Sequence, residues 1–318
     1  MWAQAQPNIA LVKYWGKSDI TRNLPAVGSL SVTLDSLYSR MSVELVGDPG
    51  PDELSVNGEA NTEMLPRVSS CIDVIAGKDR GAARIQSESN FPVAAGLASS
   101  ASAFSALVLA AYGSAGKTAD TLSMARVAGS VSGSAARSLY GGFVELSAGS
   151  DDIDVWSIAD AEDWPLKVIV AITETEAKAL GSGEAMIRSA KTSPFYDSWV
   201  ERQPDDLAIA RQAVESRDFE QLAAVSEHNC LKMHTVMWTS RPAIVYWNSA
   251  TVACMEAVRE LQKKSEPVFF TIDAGPQLKA VCLPSAEQTV RDVLAGIDGV
   301  VTTYSSALGP GARILEQL

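Results

Sequence analysis

The chain has 318 residues, of which 47% are hydrophobic and 20% are charged. That length and composition allow a large buried core, exclude global disorder and suggest two domains. The 38 acidic and 26 basic residues give a formal net charge of −12, which argues against a nucleic-acid-binding protein and against a polybasic membrane anchor. Any anionic ligand must therefore be bound by a few local cations and by backbone N–H groups.

Histidine and cysteine usage narrows the chemistry further. The two histidines, His228 and His234, are six residues apart, and no CxxC pair flanks them. We therefore expect neither a zinc site nor a Ser-His-Asp triad. The four cysteines predict reduced, mostly buried thiols in a cytoplasmic protein. We also expect no membrane-spanning segment and no signal peptide, because no apolar stretch is long enough and the N-terminus lacks a basic region followed by an apolar one.

In chain order, the first half of the chain alternates strands and helices. We predict β structure through the first 60 residues, with strands at 29–34 and 40–46 and a turn at Asn57-Gly58. The next predicted elements are a helix at 63–75, a strand at 84–88, helices at 103–112 and 118–127, and strands at 143–146 and 167–172. The acidic segment 148–165 predicts a solvated loop near a domain junction.

The second half of the chain is richer in helices. We predict helices at 176–190, 204–216, 219–230, 242–262 and 286–295, and strands at 268–272, 278–283 and 300–304. The mixture of helices and antiparallel hairpins predicts an α+β fold. We place the domain boundary in the acidic segment, which gives an N-terminal domain at 1–165 and a C-terminal domain at 166–318.

A loop of small residues precedes the helix predicted at 103–112. Its sequence is Asn90-Phe-Pro-Val-Ala-Ala-Gly-Leu-Ala-Ser-Ser-Ala-Ser102. Such a loop lets a ligand approach the backbone closely, and the start of the helix directs free N–H groups toward a phosphate. A tightly packed helix start without a ligand is the alternative, and the residues alone leave both interpretations open. The loop contains no Gly-Lys-Ser/Thr and is therefore not a Walker A motif.

Three further segments carry candidate functional side chains. The stretch 132–142 sets Arg137 among serines and glycines, where a guanidinium can hold a carboxylate or phosphate or form an ordinary ion pair. Segment 8–17 contains Lys13 and Lys17, which suit either an anionic ligand or a solvated strand. Asp273 closes an apolar strand before Ala-Gly-Pro, and is either a general base or a turn residue.

Together, and in this order, these segments resemble the GHMP kinase superfamily and, within it, the diphosphomevalonate decarboxylases. The matching segments are 8–17, 29–34, 90–101, 132–143 and 270–276, with further agreement at 192–193 and 231–234. The resemblance spans nearly the whole chain, and the run Lys-Tyr-Trp-Gly-Lys at 13–17 is more specific than the small-residue loop. It implies a GHMP kinase fold, with a ribosomal-protein-S5-domain-2-type N-terminal domain, a ferredoxin-like C-terminal domain and a substrate cleft between them.

The resemblance also implies an activity. Members of this family use ATP and Mg²⁺ to phosphorylate the tertiary 3-hydroxyl of mevalonate 5-diphosphate, then lose phosphate and CO₂ to give isopentenyl diphosphate for isoprenoid biosynthesis. A tertiary alkoxide leaves poorly whereas phosphate leaves well, and its departure lets the carboxylate fragment. The resemblance further implies a cytoplasmic lyase that forms a homodimer, with small-molecule ligands and neither nucleic-acid nor membrane partners.

Residue-by-residue matching carries the family's roles onto this sequence. Asp273 falls on the catalytic aspartate, Lys13 on a lysine at the same centre, and Arg137 on the arginine that holds the substrate carboxylate. The expected contacts of the substrate diphosphate are Tyr14, Lys17, Arg67, Ser132, Gly133 and Ser134. The expected contacts of the ATP phosphates are Pro92, Ala95, Gly96, Leu97, Ala98, Ser99 and Ser100, with Ser99 or Ser100 toward Mg²⁺.

Several positions depart from the family pattern and keep alternatives open. The departures are Ser18, Gly28, Ala136, Gln277 and extra residues within 126–134. The last of these changes alters the wall expected to lie closest to the substrate phosphates, so a decarboxylase of 5-phosphomevalonate or a mevalonate-type kinase stays an alternative. A non-catalytic protein that binds a nucleotide or a prenyl precursor is another, and the presence of Asp273 counts against it.

Overall fold

A computed structural model describes residues 1–91, 99–149, 151–176 and 178–316. Its strands are β1 (Trp2–Ala5), β2 (Asn8–Val12), β3 (Lys17–Asp19), β4 (Leu24–Pro25), β5 (Ser29–Thr33), β6 (Ser39–Leu45), β7 (Glu53–Val56), β8 (Glu59–Ala60), β9 (Ala83–Ser89), β10 (Phe143–Ala148), β11 (Ile153–Ala159), β12 (Lys167–Ile172), β13 (Val268–Ile272), β14 (Leu278–Cys282), β15 (Thr302–Ala307) and β16 (Arg313–Leu315). Its helices are α1 (Leu65–Ala76), α2 (Ser99–Ser114), α3 (Thr121–Val131), α4 (Ala135–Ser138), α5 (Ser182–Thr192), α6 (Tyr196–Ser216), α7 (Phe219–Trp238), α8 (Ser249–Lys263) and α9 (Glu287–Ala295).

Three sheets and one short hairpin organise the described part of the chain. One sheet has the order β16-β1-β6-β9-β7-β8, and the second has the order β11-β10-β5-β2. The third, β13-β14-β12-β15, is antiparallel throughout and draws only on the second half of the chain. β3 and β4 form the separate hairpin. Apart from the parallel pair β7 and β9, the strand pairs are antiparallel, and this mixture of mainly antiparallel sheets and packed helices confirms the predicted α+β class.

The apolar core is continuous between the two halves of the chain. Alternate residues on β12 and β13 point to opposite faces of the third sheet. On one face, Val170 and Phe269 share a cluster of buried side chains with Ile9 and Leu11 of β2. On the other face, the sheet packs against residues of α8 and α9. The boundary at residue 165 stays a prediction, since a common core joins the strands on either side of it.

The prediction of a solvated loop holds for residues 151–152 and 160–165, which lie outside helices and strands, but it is wrong for the residues between them. Residues Ile153–Ala159 form β11, which pairs with β10 along its whole length, and Ile153 and Val155 are buried beneath it. The one acidic residue of this strand, Asp154, points outward: it is exposed and pairs with Arg126 of α3 at 2.9 Å. The many acidic residues of this segment obscured the alternation of buried and exposed residues in β11, which repeats every two residues.

Several predicted helices have different bounds in the structure, and α6 and α8 show two reasons. α6 begins at Tyr196 and runs through Pro204, whereas we predicted a start at that proline. α8 begins only at Ser249, because Asn248 caps it by accepting a hydrogen bond from the backbone N–H of Thr251; residues 242–248 are not helical. Capping by a side chain, rather than the proline at 242, therefore determines where this helix starts. The four cysteines are buried and unpaired, as predicted.

Among the described helices, none combines the length and the apolarity needed to cross a membrane.

A buried polar network takes over the backbone hydrogen bonds where β2 ends. The N–H of Lys13 donates to Oδ1 of Asn229 at 2.7 Å, and the carbonyl of Lys13 accepts from Nε2 of Gln203 at 2.7 Å. Nδ2 of Asn229 donates to Gln203 and to Asp206. Two helices of the second half, α6 and α7, thus hold the residue that follows β2, because a buried backbone group without a partner would be costly.

Replacing Asn229 with leucine is therefore expected to destabilise the protein. The change leaves the buried N–H of Lys13 without an acceptor, which costs roughly 1–3 kcal/mol. Urea denaturation followed by circular dichroism measures the loss, and Gln212→Ala, an exposed change on α6, is the matched control. A midpoint for Asn229→Leu equal to that of the control would contradict a role for this network in holding Lys13.

Candidate active site

A cleft of about 830 Å³ collects charged residues from both halves of the chain. Among the described residues that line it, the cations are Lys13, Lys17, Arg67, Arg137 and Lys178, and the acids are Glu63 and Asp273. A cleft with this excess of cations stands in contrast to the net charge of −12 of the chain. A concave surface of one charge sign focuses its field and favours an anionic ligand.

Two lysines hold the carboxylate of Asp273. Nζ of Lys13 lies 2.7 Å from Oδ1, and Nζ of Lys279 lies 3.1 Å from Oδ2. The side chains of Lys13 and Lys279 are 1% and 0% exposed, whereas that of Asp273 is 25% exposed and reaches the cleft. Burial alone would raise the pKa of Asp273, but the two ammonium groups outweigh it and hold that pKa below its usual range. The carboxylate is therefore ionised at neutral pH.

Arg137 lies on α4 and is buried at 2% exposure, with part of its surface lining the cleft. Its Nε donates to Oγ of Ser31 at 3.0 Å, its Nη2 donates to Oδ1 of Asn8 at 3.1 Å, and its Nη1 donates to Oγ of Ser29. No carboxylate of the described chain lies within ion-pair distance of this guanidinium, so the ordinary ion pair considered above is wrong. Burial lowers the pKa of Arg137 to about 10, which still leaves it charged.

The hydroxyl of Tyr14 lines the cleft beside the small-residue stretch. It is buried and has no hydrogen-bond partner in the described part of the protein. Burial raises the pKa of Tyr14 to about 12, so the hydroxyl stays protonated and can donate. Gly133 packs against this ring so closely that a Cβ there would overlap the hydroxyl, which explains the glycine at this position. Ser132 and Ser134 line the same wall.

Lys17 and Arg67 lie at another wall of the cleft. Burial, and then the proximity of Arg67, lowers the pKa of Lys17. Arg67 stacks over the ring of Phe104, 4.5 Å from its centroid, and donates to the carbonyl of Val131. Burial also lowers the pKa of Arg67, and an anion bound beside the two cations would stabilise the charged form of each. Arg126, in contrast, pairs with Asp154, and it does not line this cleft.

The start of α2 also faces the cleft, through Ser99 and Ser100. Their hydroxyls are hard oxygen donors of the kind that Mg²⁺ accepts alongside phosphate oxygens and water. The other predicted ATP contacts, Pro92, Ala95, Gly96, Leu97 and Ala98, lie outside the described residues. Within the described residues, no group of three or more His, Cys, Asp or Glu side chains could hold a metal ion.

Two features that line the cleft were missed by sequence reasoning. The first is Lys178, whose Nζ donates to the carbonyl of Ala274 at 2.8 Å; burial lowers the pKa of this lysine to about 8. The second is the start of α5, where Ser182 and Gly183 line the cleft near Nζ of Lys17. Free N–H groups at a helix start bind anions. We predicted this helix at 176–190, but α5 begins six residues later, at Ser182, so the sequence analysis did not identify the helix start at the cleft.

Comparison with known proteins places this geometry in a family. Residues 5–159 match the model of the diphosphomevalonate decarboxylase-like N-terminal domain, and residues 168–307 match that of the mevalonate 5-diphosphate decarboxylase C-terminal domain. The chain is 34% identical to the diphosphomevalonate decarboxylase of Ganoderma lucidum over 86% of this chain and 76% of that protein. It is 31% identical to the human enzyme of that name over 92% of this chain and 78% of that protein.

Solved structures agree with the sequence relatives. The mevalonate diphosphate decarboxylase of Staphylococcus aureus superposes with a TM-score of 0.92 at 33% identity, covering 99% of this chain and 97% of that one. A structure described as MDDEF in complex with MVAPP, AMPPCP and magnesium has a TM-score of 0.91 at 30% identity and covers 99% and 98% of the two chains. The chain therefore has the two-domain fold of the GHMP kinases, and it belongs to the diphosphomevalonate decarboxylase family.

Proposed function

We propose that the cleft catalyses ATP-dependent decarboxylation of mevalonate 5-diphosphate to isopentenyl diphosphate. The observation that carries this function is the set of cations around one ionised carboxylate. Arg137 is buried without an anionic partner in the described chain, and a buried charge is costly until a ligand pairs with it. A substrate with both a carboxylate and a diphosphate supplies those anions.

Asp273 orients the 3-hydroxyl of the substrate. A carboxylate that two lysines hold ionised is a weak base, so we assign it first to accepting the hydrogen bond of the hydroxyl and aiming that oxygen at the phosphoryl group. The proton passes to Asp273 as the O–P bond forms. Lys13, at 2.7 Å from the carboxylate, stabilises the negative charge that develops on the transferring phosphoryl group.

Arg137 is assigned to the substrate carboxylate. Asn8, Ser29 and Ser31 fix the plane of its guanidinium, which leaves the side facing the cleft to hold a carboxylate by parallel hydrogen bonds. When phosphate leaves C3, the electron pair of the bond between the carboxylate carbon and C2 becomes the new double bond and CO₂ departs. Fixing the carboxylate holds that bond in line for cleavage.

Two further cations are assigned to phosphate groups. Lys17 and Arg67, with the hydroxyl of Tyr14 and the serines at 132 and 134, suit the substrate diphosphate. Ser99 and Ser100, with the preceding loop, suit the phosphates of ATP, and either hydroxyl can serve as a ligand of Mg²⁺. Bound Mg²⁺ neutralises phosphate charge during transfer.

We further propose that the protein is located in the cytoplasm and forms a homodimer. The four unpaired, buried thiols suit the reducing environment of the cytoplasm. The family resemblance supports a homodimer, which analytical ultracentrifugation tests directly.

Incubation with ATP, Mg²⁺ and each mevalonate phosphate tests the activity. We expect CO₂, ADP and inorganic phosphate in equal amounts with the 5-diphosphate. ADP formation without CO₂ would make the protein a kinase. CO₂ from 5-phosphomevalonate alone would overturn the assignment of the substrate, and no turnover of any of these compounds would leave only ligand binding.

Asp273→Asn is expected to lower CO₂ release by about 10²–10⁴-fold, because an amide cannot accept the proton of the hydroxyl. The change also leaves Lys13 and Lys279 without their carboxylate, and breaking a buried pair costs about 3 kcal/mol or more. Turnover and melting temperature are measured together, with Asp152→Asn, a partly exposed position paired with Arg126, as the control. Turnover within threefold of the unmodified protein, roughly 0.7 kcal/mol, would remove Asp273 from the chemistry.

Arg137→Lys is expected to damage catalysis more than nucleotide binding. Lysine keeps the charge but loses the planar fork, and its single ammonium cannot reach Asn8, Ser29 and Ser31 together. We expect kcat/KM for the mevalonate substrate to fall by about 10²-fold or more while KM for ATP changes little. Arg126→Lys is the control, since Arg126 pairs with Asp154 instead. An unchanged kcat/KM with a lower melting temperature would make Arg137 structural.

A further inference from the structure

Lys279 differs from every other cation of the site in its position. It contacts Asp273 at 3.1 Å, yet it is 0% exposed and is not among the residues that line the cleft. Lys13 and Asp273 both line that cleft. A ligand in the cleft therefore meets Lys13 and Asp273, and Lys279 lies behind the carboxylate.

The register of the third sheet explains this position. Lys279 of β14 pairs with Thr271 of β13 and with Val170 of β12. Directly paired residues point to the same face of a sheet, and this is the face that meets β2. There, Oγ1 of Thr271 donates to the carbonyl of Ala10, which also accepts from Nζ of Lys13. Lys279 thus approaches Asp273 from the sheet, and Lys13 approaches it from β2.

The surroundings of Lys279 are those of an apolar side chain. Its neighbours two residues along β13 and β14 on the same face, Phe269 and Val281, belong to the buried cluster shared with β2. An ammonium in such a place is costly to desolvate, and stability alone favours a hydrophobic residue of similar volume. Asp273 already has Lys13 as an ion-pair partner, so a second lysine on the same carboxylate calls for another reason.

We propose that Lys279 is a positioning residue for the decarboxylation reaction, which holds Oδ2 of Asp273 from behind so that the carboxylate stays ionised and correctly turned toward the substrate hydroxyl. This inference rests on the proposed function and deepens it. With one lysine on each oxygen, the carboxylate cannot rotate about its Cβ–Cγ bond without breaking an ion pair. Lys13 alone would hold only Oδ1.

Other groups around Asp273 do not replace Lys279 in this role. The titratable and charged groups that face the carboxylate are Lys13 after β2, Arg137 on α4, Lys178 before α5, Cys230 and His234 on α7, and Lys279 on β14. Burial lowers the pKa of His234 to about 3 and raises that of Cys230, so both are neutral at working pH. The charge of Asp273 thus depends on the lysines and on Arg137.

Removal of Lys279 has a defined effect on pH dependence. Burial raises the pKa of Asp273, while Lys13 and Lys279 lower it. Without Lys279, the pKa of Asp273 moves upward toward its ordinary value, and the carboxylate is protonated at a higher pH than before. Activity that needs the ionised form is then lost earlier as the pH falls, so the acidic limb of the rate profile moves to higher pH.

The experiment compares Lys279→Met with the unmodified full-length protein. Initial rates of CO₂ release from mevalonate 5-diphosphate give kcat/KM across the acidic pH range, and KM for ATP and the melting temperature are measured on the same preparations. We expect kcat/KM to fall by about 10²-fold, the order that a small misplacement of a catalytic group costs. We also expect the acidic limb to move upward, KM for ATP to change little, and the protein to stay folded because Asp273 keeps Lys13.

Lys167→Met is the matched control, because Lys167 lies on β12 of the same sheet and pairs with Glu287 at 3.3 Å, away from the cleft. Its pH profile should equal that of the unmodified protein. An unmodified protein that releases no CO₂ would refute the proposed function itself. If it is active, an unchanged acidic limb in Lys279→Met would overturn only the role of Lys279. If Lys279→Met does not fold, Lys279→Gln takes its place, and failure of both to fold would make Lys279 structural and overturn the proposal.

Discussion

One carboxylate held between two buried lysines is the interaction on which the site depends. Lys13 follows β2, Asp273 follows β13, and Lys279 lies on β14, so the cluster joins the two halves of the chain. Desolvated charges stabilise a structure only when their geometry is good. The distances of 2.7 and 3.1 Å therefore require the second sheet, with β2, and the third sheet, with β13 and β14, to pack in one relative position. The network around Asn229 meets the same need for the backbone of Lys13.

The acidic surface and the basic cleft belong together. A net charge of −12 disfavours the approach of anions to the chain as a whole, and a local cluster of five cations in one concave region then defines where an anion can bind. Burial lowers the pKa values of Lys17 and Arg137, so both cations are held at an energetic cost. A ligand that carries several negative charges removes that cost, which makes a polyanionic substrate the natural occupant.

Sequence alone could predict the parts of the site that follow local patterns. Lys13, Tyr14, Lys17, Arg137 and Asp273 lie in short segments with recognisable residue types, and the structure brings all five to one cleft. Their individual roles stay proposals.

Lys279 could not be found in this way, because a lone lysine in an apolar strand gives no local signal of its partner. Its contact with Asp273 depends on sheet register. Asn229 and Lys178 were missed for the same reason, since each acts through a residue distant in sequence. Likewise, Gln277 departs from the family pattern, yet its side-chain amide forms hydrogen bonds with the backbone of Thr173 and Glu174. No spacing of residues in the sequence predicts this contact.

The position of strand β16 limits how the first two sheets can separate from the third sheet. It pairs with β1 in the first sheet, although it follows β15 of the third sheet in the chain. The polypeptide therefore crosses twice between the first two sheets and the third sheet, once before β12 and once after β15. At the second crossing, Gly309 bonds to the backbones of Thr33 and Gly142. A protease that cuts the first crossing leaves the second intact and the fragments held together. The two chain crossings also limit any opening of the cleft to a hinge-like rotation, because neither side of the cleft can move away from the other independently.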